Sequence, residues 1–228
     1  MCTLIVAWCV FSDPVVVAAN RDEALDRPAS VPHAWGEGSG IFAPRDECVG
    51  GTWIGTNDAG LFVAVTNRRV EIEGGGERSR GLLVADALGY ESAAEAIDHV
   101  VAETDGATYS GFNLLIADAE RAALIEWDGT RTLTEIDPGI HVVVNDGQPG
   151  VERKRRGVEK LVEPRNGEST EEWLVRVRSV LVDHDLGTCV HGEEYGTRSS
   201  SLVRVDREGN ADWRFAPGPP CETEYASR

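Results

Sequence analysis

Val6-Ala7-Trp8-Cys9-Val10 and Val15-Val16-Val17-Ala18-Ala19 are apolar, β-branched runs, and Phe11-Ser12-Asp13-Pro14 between them has the composition of a turn. Two such runs joined by a short polar link predict an antiparallel hairpin. The apolar character extends from Cys2 to Phe11. That stretch lacks a basic start and a small-residue cleavage site, and Asp13-Pro14 ends it. It is too short to span a membrane, so it reads as a buried strand. Directly after the second run stands Asn20-Arg21-Asp22-Glu23. These polar residues sit where a strand end can open toward a cleft or simply turn in solvent.

Working outward, a loop region rich in proline (Pro28, Pro32, Pro44) leads to Gly50-Gly51-Thr52-Trp53-Ile54-Gly55. A turn at Asn57-Asp58-Ala59-Gly60 then introduces a strand over Leu61 to Thr66. Ser79 is placed to cap a helix running to Leu88. Ser92 and Glu95 have the spacing of a capping box ahead of Ile97, Val100 and Val101. Strands are expected at Phe112 to Ala117, Ala122 to Trp127 and Ile140 to Val144. A second capping box, Ser169 to Glu172, precedes Trp173, Leu174, Val177, Val180 and Leu181 on one helical face. Ser201 to Val205 and Asp212 to Phe215 form a closing hairpin. Hairpins dominate and no βαβ alternation appears, which predicts an α+β fold built on antiparallel sheets. The 228 residues suit one domain over the whole of 1–228, large enough for a real core.

Asp and Glu number 39 against 22 Lys and Arg, giving a formal net charge of −17. Lys154 and Lys160 are the only lysines. The carboxylates are scattered rather than gathered in a tail, so they read as a solvated acidic shell, and a salt-rich source is expected. Such a surface argues against nucleic acid or anionic lipid as charge-driven partners. Five cysteines without regular spacing argue against a secreted disulfide framework, and a cytoplasmic location is expected.

Cys2 stands out by position. Removal of an initiator Met before a small residue would leave a thiol and a free α-amine on one residue. That amine has a pKa of about 7.7–8.0 in model compounds and can activate its own side chain. The competing reading is a small apolar residue that opens a strand. Asn67 and Asn145 each end a predicted strand, where an amide can donate to a developing oxyanion or merely shape a turn. Arg198, in Tyr195-Gly196-Thr197-Arg198, is suited to orient an anionic group of a substrate or to hold a structural carboxylate. Cys189-Val190-His191 offers two metal ligands, but no second Cys or His pair has matching spacing, so no metal is expected. Gly74-Gly75-Gly76, between Glu73 and Glu77, is a poor phosphate cradle and reads as a flexible turn.

Taken in order, Met1-Cys2-Thr3, Ala18-Ala19-Asn20-Arg21-Asp22-Glu23, Gly50-Gly51-Thr52-Trp53-Ile54-Gly55 and Val65-Thr66-Asn67 resemble the NRDE family. Arg80-Gly81-Leu82-Leu83-Val84, Gly111-Phe112-Asn113-Leu114-Leu115 and Tyr195-Gly196-Thr197-Arg198 continue the match across nearly the whole chain. The family includes the eukaryotic transport and Golgi organisation protein two, and is similar to N-terminal nucleophile hydrolases of the choloylglycine type. The resemblance implies a four-layer αββα sandwich and cleavage of a linear amide, or acyl transfer from an amide or thioester. It makes Cys2 nucleophile and base, and sets Asp22 to hold the terminal amine. Asn145 and Asn67 become the oxyanion hole, Arg198 completes the polar cluster, and Asn20, Arg21 and Trp53 become substrate contacts. Choloylglycine-type enzymes carry Arg-Asn-x-Asp beside the nucleophile. Aligned without a gap, their arginine falls on Ala19, and strand alternation is expected to aim Arg21 elsewhere. No cofactor is implied. The partner is a small-molecule substrate, or, for a non-catalytic binding and trafficking protein on the same fold, a hydrophobic ligand such as haem or an acyl lipid.

Overall fold

A computed structural model of the chain describes residues 2–72, 76–147 and 150–228. Met1, Gly74 and Gly75, on which parts of the sequence reading fell, lie outside the described residues. The expected hairpin is present: β1 (Thr3–Trp8) and β2 (Val15–Ala24) pair antiparallel with Thr3 opposite Asn20 and Trp8 opposite Val15. β1 stops at Trp8 because Cys9 takes φ +52, a left-handed conformation no strand can carry. β2 does not stop at Ala19. It continues through Asn20-Arg21-Asp22-Glu23, so these residues lie inside a strand and not in the loop after it. The cause is the long β11 (Tyr195–Val205), which pairs with β2 out to Ala24.

Ahead of the first helix come β3 (His33–Ala34), β4 (Ile41–Ala43), β5 (Ile54–Asn57) and β6 (Phe62–Asn67). Helices α1 (Arg80–Ala87) and α2 (Ala93–Gly106) follow, both with the serine caps read from sequence. At Ser92 the hydroxyl accepts the Glu95 N–H, while the Glu95 carboxylate takes that same hydroxyl's proton. The chain continues with β7 (Phe112–Ala117), β8 (Ala122–Trp127), β9 (Arg131–Glu135) and β10 (Gly139–Val144). Next come α3 (Val151–Val162) and α4 (Thr170–Leu181), then β11, β12 (Ala211–Ala216) and β13 (Ala226–Ser227). The capping box at Ser169 and Glu172 is complete.

The strands make two antiparallel sheets, ordered β10-β1-β2-β11-β12-β13 and β3-β4-β5-β6-β7-β8-β9. Side chains at alternate positions explain the layering. Leu4, Val6, Trp8, Val15 and Val17 meet Ile54, Phe62, Ala64 and Leu115 between the sheets. Ile5, Ala7, Val16 and Ala18 point the opposite way and pack on Trp173, Leu174 and Val177 of α4 and Val158 of α3. Val63, Leu114 and Ile116 of the second sheet pack on Leu83, Val84, Ile97 and Val100 of α1 and α2. Four layers result, helix–sheet–sheet–helix, as expected. Among the described residues no helix is long and apolar enough to cross a membrane.

One close approach fixes the loop that carries Trp53. A Cβ on Gly51 would lie 2.2 Å from the backbone carbon of Gly81, at the start of α1. Only glycine lets Thr52 donate its N–H to the Gly81 carbonyl at 3.0 Å.

Candidate active site

Cys2 stands one residue ahead of β1, the central strand of a β10-β1-β2 trio. Thr3 lies opposite Asn20 on one side and Val144 on the other. Continuing both registers by one residue sets Cys2 between Arg21 and Asn145. Its Sγ lies 3.7 Å from the backbone carbonyl oxygen of Asp22. Burial pushes the thiol above its ordinary pKa, the Asp22 carboxylate adds to this, and Arg21 pulls the other way.

Arg21 is two residues from Ala19, so the period of a strand places both on one face. Both line a cavity with Cys2, Trp53, Ile54 and Thr66. The expectation that alternation turns Arg21 away is therefore corrected. Ala19 and Arg21 share the Cys2 side, and the long Arg21 side chain occupies it. The guanidinium sits 4.1 Å from the centre of the Trp53 ring. It is 3.5 Å from Asp46 and 3.8 Å from Glu23. The cavity is tight, about 20 Å³, which is room for about one water. Arg21 and Trp53 also line a second cleft, where they meet Arg198, Ser199 and Ser30.

Arg198 reaches that cleft because of a bulge. Thr197 pairs with Asp22 and Ser199 with Arg21, which leaves Arg198 between them without a partner position on β2. An extra residue re-aims its side chain out of the ladder. The Arg198 Nε is buried with no hydrogen-bond acceptor among the described residues. Asn145 follows β10 and is 2% exposed. Its Oδ1 accepts the Asn67 backbone N–H at 3.0 Å, which orients the amide and turns its NH₂ away from that contact.

Asn20 and Asp22 lie on the other face of β2. Asn20 donates both amide hydrogens to backbone carbonyls, those of Leu181 at 2.8 Å and Thr188 at 2.7 Å. This ties β2 to the end of α4, and Asn20 also stands among the residues that line the Cys2 cavity. Asp22, 1% exposed, accepts the Thr197 hydroxyl at 2.6 Å. Its carbonyl oxygen accepts the Tyr195 phenol at 2.7 Å.

Several residues around this cluster were given no role from the sequence. Lys154 of α3 is 3% exposed. Burial pulls its ammonium below the ordinary lysine value, while Asp22 and Cys2 pull it back up. The face Val151, Lys154, Val158, Val162 has helical spacing, and a lone lysine on an otherwise apolar face was the available signal. Asn113 braces the Asn145 turn from the second sheet, donating to the Val144 carbonyl and to Asp146. Asp46 anchors Arg21 and Arg27 together.

The Transport and Golgi organisation 2 family matches residues 1–214. The bovine (Bos taurus) Transport and Golgi organization protein 2 homolog is 28% identical over 236 residues, covering 86% of this chain and 83% of its own. The human (Homo sapiens) homolog is 25% identical over 245 residues, with the same shares. Among solved structures, the Caenorhabditis elegans ortholog of N-acylethanolamine-hydrolyzing acid amidase superposes with a TM-score of 0.64 at 15% identity. That match covers 91% of this chain and 93% of the other. Penicillin V acylase from Agrobacterium tumefaciens gives 0.57 at 16%, covering 94% and 82%. A variant of the conjugated bile acid hydrolase from Clostridium perfringens gives 0.51 at 11%, covering 100% and 96%. At these identities the likeness is one of fold, the N-terminal nucleophile hydrolase fold.

Proposed function

The chain belongs to the Transport and Golgi organisation 2 family, and from that premise we propose that it is a cysteine N-terminal nucleophile hydrolase or acyltransferase acting on a linear amide or thioester. We keep the NRDE name as the reading of its Asn20-Arg21-Asp22-Glu23 signature. One observation carries the proposal: strand register sets Cys2 between Arg21 and Asn145, at the wall of a cavity.

Once Met1 is removed, the Cys2 amine takes the thiol proton, and Asp22 holds that amine. The thiolate attacks the substrate carbonyl carbon. The oxyanion receives the Asn145 NH₂, with Asn67 as second donor and positioner of Asn145. The leaving amine or thiol departs with the proton, and the Cys2 thioester then passes its acyl group to water or another acceptor. Arg21, stacked on Trp53, and Arg198, whose Nε has no acceptor among the described residues, favour a substrate that carries an anionic group beside an apolar one.

A second reading draws support from the raised thiol pKa. It is a binding and trafficking protein that keeps the fold without turnover. Intact mass and an electrophilic acyl probe separate the two. The enzyme reading expects a chain one methionine lighter and a covalent adduct absent in Cys2→Ala. A retained Met1, or labelling that survives Cys2→Ala, ends it. A haem absorption change that is unaffected by Cys2→Ala would favour the carrier.

A further inference from the structure

Away from the Cys2 cluster, the segment after α4 and the C-terminal segment bring His184, Cys189, His191 and Cys221 together, with one ligating atom of each within 4.8 Å of all the others. Sequence spacing pointed only to Cys189 and His191. Folding adds His184 from the turn before them and Cys221 from 30 residues beyond His191. We propose that these four residues form a structural zinc site that clips the C-terminal segment onto the turn between α4 and β11.

The separations among three of the ligand atoms lie close to tetrahedral edges, and His184 brings the fourth within 4.8 Å. Zinc–sulfur bonds of about 2.3 Å and zinc–nitrogen bonds of about 2.0–2.1 Å set tetrahedral edges of roughly 3.3–3.8 Å between ligand atoms. Cys189 Sγ lies 3.5 Å from Cys221 Sγ and 3.7 Å from His191 Nε2. His191 Nε2 lies 3.1 Å from Cys221 Sγ. Two thiolates neutralise a divalent cation, and two imidazoles complete the Cys₂His₂ set that selects zinc. All four positions are protein side chains, which is the closed arrangement of a structural site and leaves no place for a substrate.

The surroundings supply the second contacts that ligating histidines use. His184 Nδ1 is 3.2 Å from the Cys189 carbonyl oxygen, and an N–H donated there leaves Nε2 with its lone pair. His191 Nδ1 faces the Glu222 carboxylate at 3.8 Å. The turn itself is held firmly: Cys189 N–H donates to the Asp183 carbonyl, and the Thr188 hydroxyl bonds Val180 and Asp183. Cys221 lies in a turn closed by the Glu222 and Thr223 N–H groups on the Pro219 carbonyl. The family match ends at residue 214, short of Cys221, so the fourth ligand lies beyond it.

The clip also reaches the Cys2 cluster. Thr188 accepts the Asn20 amide, and the Val190 N–H donates to Thr197 Oγ1, whose proton goes to Asp22. The zinc loop thereby steadies both polar residues on the helix-facing side of β2.

The test uses the full chain, purified reduced, stripped with a chelator and titrated with cobalt and then zinc. One equivalent of cobalt is expected to give visible d–d bands and a thiolate charge-transfer band, bleached when zinc displaces it. Cys221→Ser and His191→Ala, both at exposed positions, are expected to abolish these bands while far-ultraviolet circular dichroism stays native. Cys48→Ser, outside the cluster, retains them. Stripping the metal is expected to lower the Tm by at least ~5 °C. Binding through surface carboxylates gives no thiolate band, and that result overturns the proposal. So does a Cys189–Cys221 disulfide in protein purified without reductant, or thiolate-bound cobalt that persists in Cys221→Ser.

Discussion

At the scale of single residues, position and parity decide what each side chain near Cys2 can do. Cys2, Asp22, Asn145 and Arg198 could be named as candidates because each stands at a strand end or in a motif whose order along the chain is informative. Lys154 was not, because its helix is densely charged and its place among Val151, Val158 and Val162 is a faint signal beside so many other charges. The contacts of Asn113 and Thr197 could not be read for a related reason. Their partners lie 33 and 175 residues away, and only sheet register brings them near. Lys154 also supplies a test of the electrostatics. It is a buried cation close to Asp22 and Cys2, so Lys154→Met removes positive charge that favours the thiolate. The pH profile of Cys2 labelling by the acyl probe is expected to move to higher pH. A profile that stays put, or moves to lower pH, would show that the lysine's charge does not reach the thiol.

At the scale of elements, caps and hairpins were readable, and long pairings were not. β8 matched the expected residues end for end, and both capping serines sit where their spacing put them. α3 was missed, since Lys154 interrupts its apolar stripe and Glu and Arg fill most of the remaining positions. β3, β4 and β9 are short or exposed, and β9 buries almost nothing that could pattern it. The start of α4 carries a pH dependence. Arg176 grips the Glu168 carboxylate through two 2.7 Å bonds and holds its pKa at about 2, with the Arg165 N–H assisting. The folded value is depressed from about 4.5, so the stabilisation is complete above that pH and fades as pH falls toward 2. Glu168→Gln is expected to lose about 1–2 kcal/mol at neutral pH after allowance for solvent screening, with a shallower loss of stability between pH 4.5 and 2. Urea melts of both proteins across that range check the sign, and parallel curves would refute it.

At the scale of the whole molecule, the four layers enclose the Cys2 cluster with a few buried charges, while most of the charge lies outside them. The helix–sheet–sheet–helix order followed from the α+β pattern and the family resemblance together. Which strands neighbour which did not, because β10 reaches β1 across more than 130 residues of chain. A formal charge of −17 makes self-repulsion a global term. Raising potassium chloride shortens the screening length from about 10 Å at 0.1 M to about 3 Å at 1 M. The Tm is expected to climb steeply over that interval, as scanning calorimetry can record; a flat response would mean that arginine pairing already balances the shell. β2 carries a further consequence. Arg21 looks toward Trp53 between the sheets, whereas Asn20 and Asp22 look toward α4 and the turn after it. Neighbours along one strand therefore answer to unrelated surroundings. A substitution beside Trp53 can change what is admitted there and leave the packing behind Asp22 untouched.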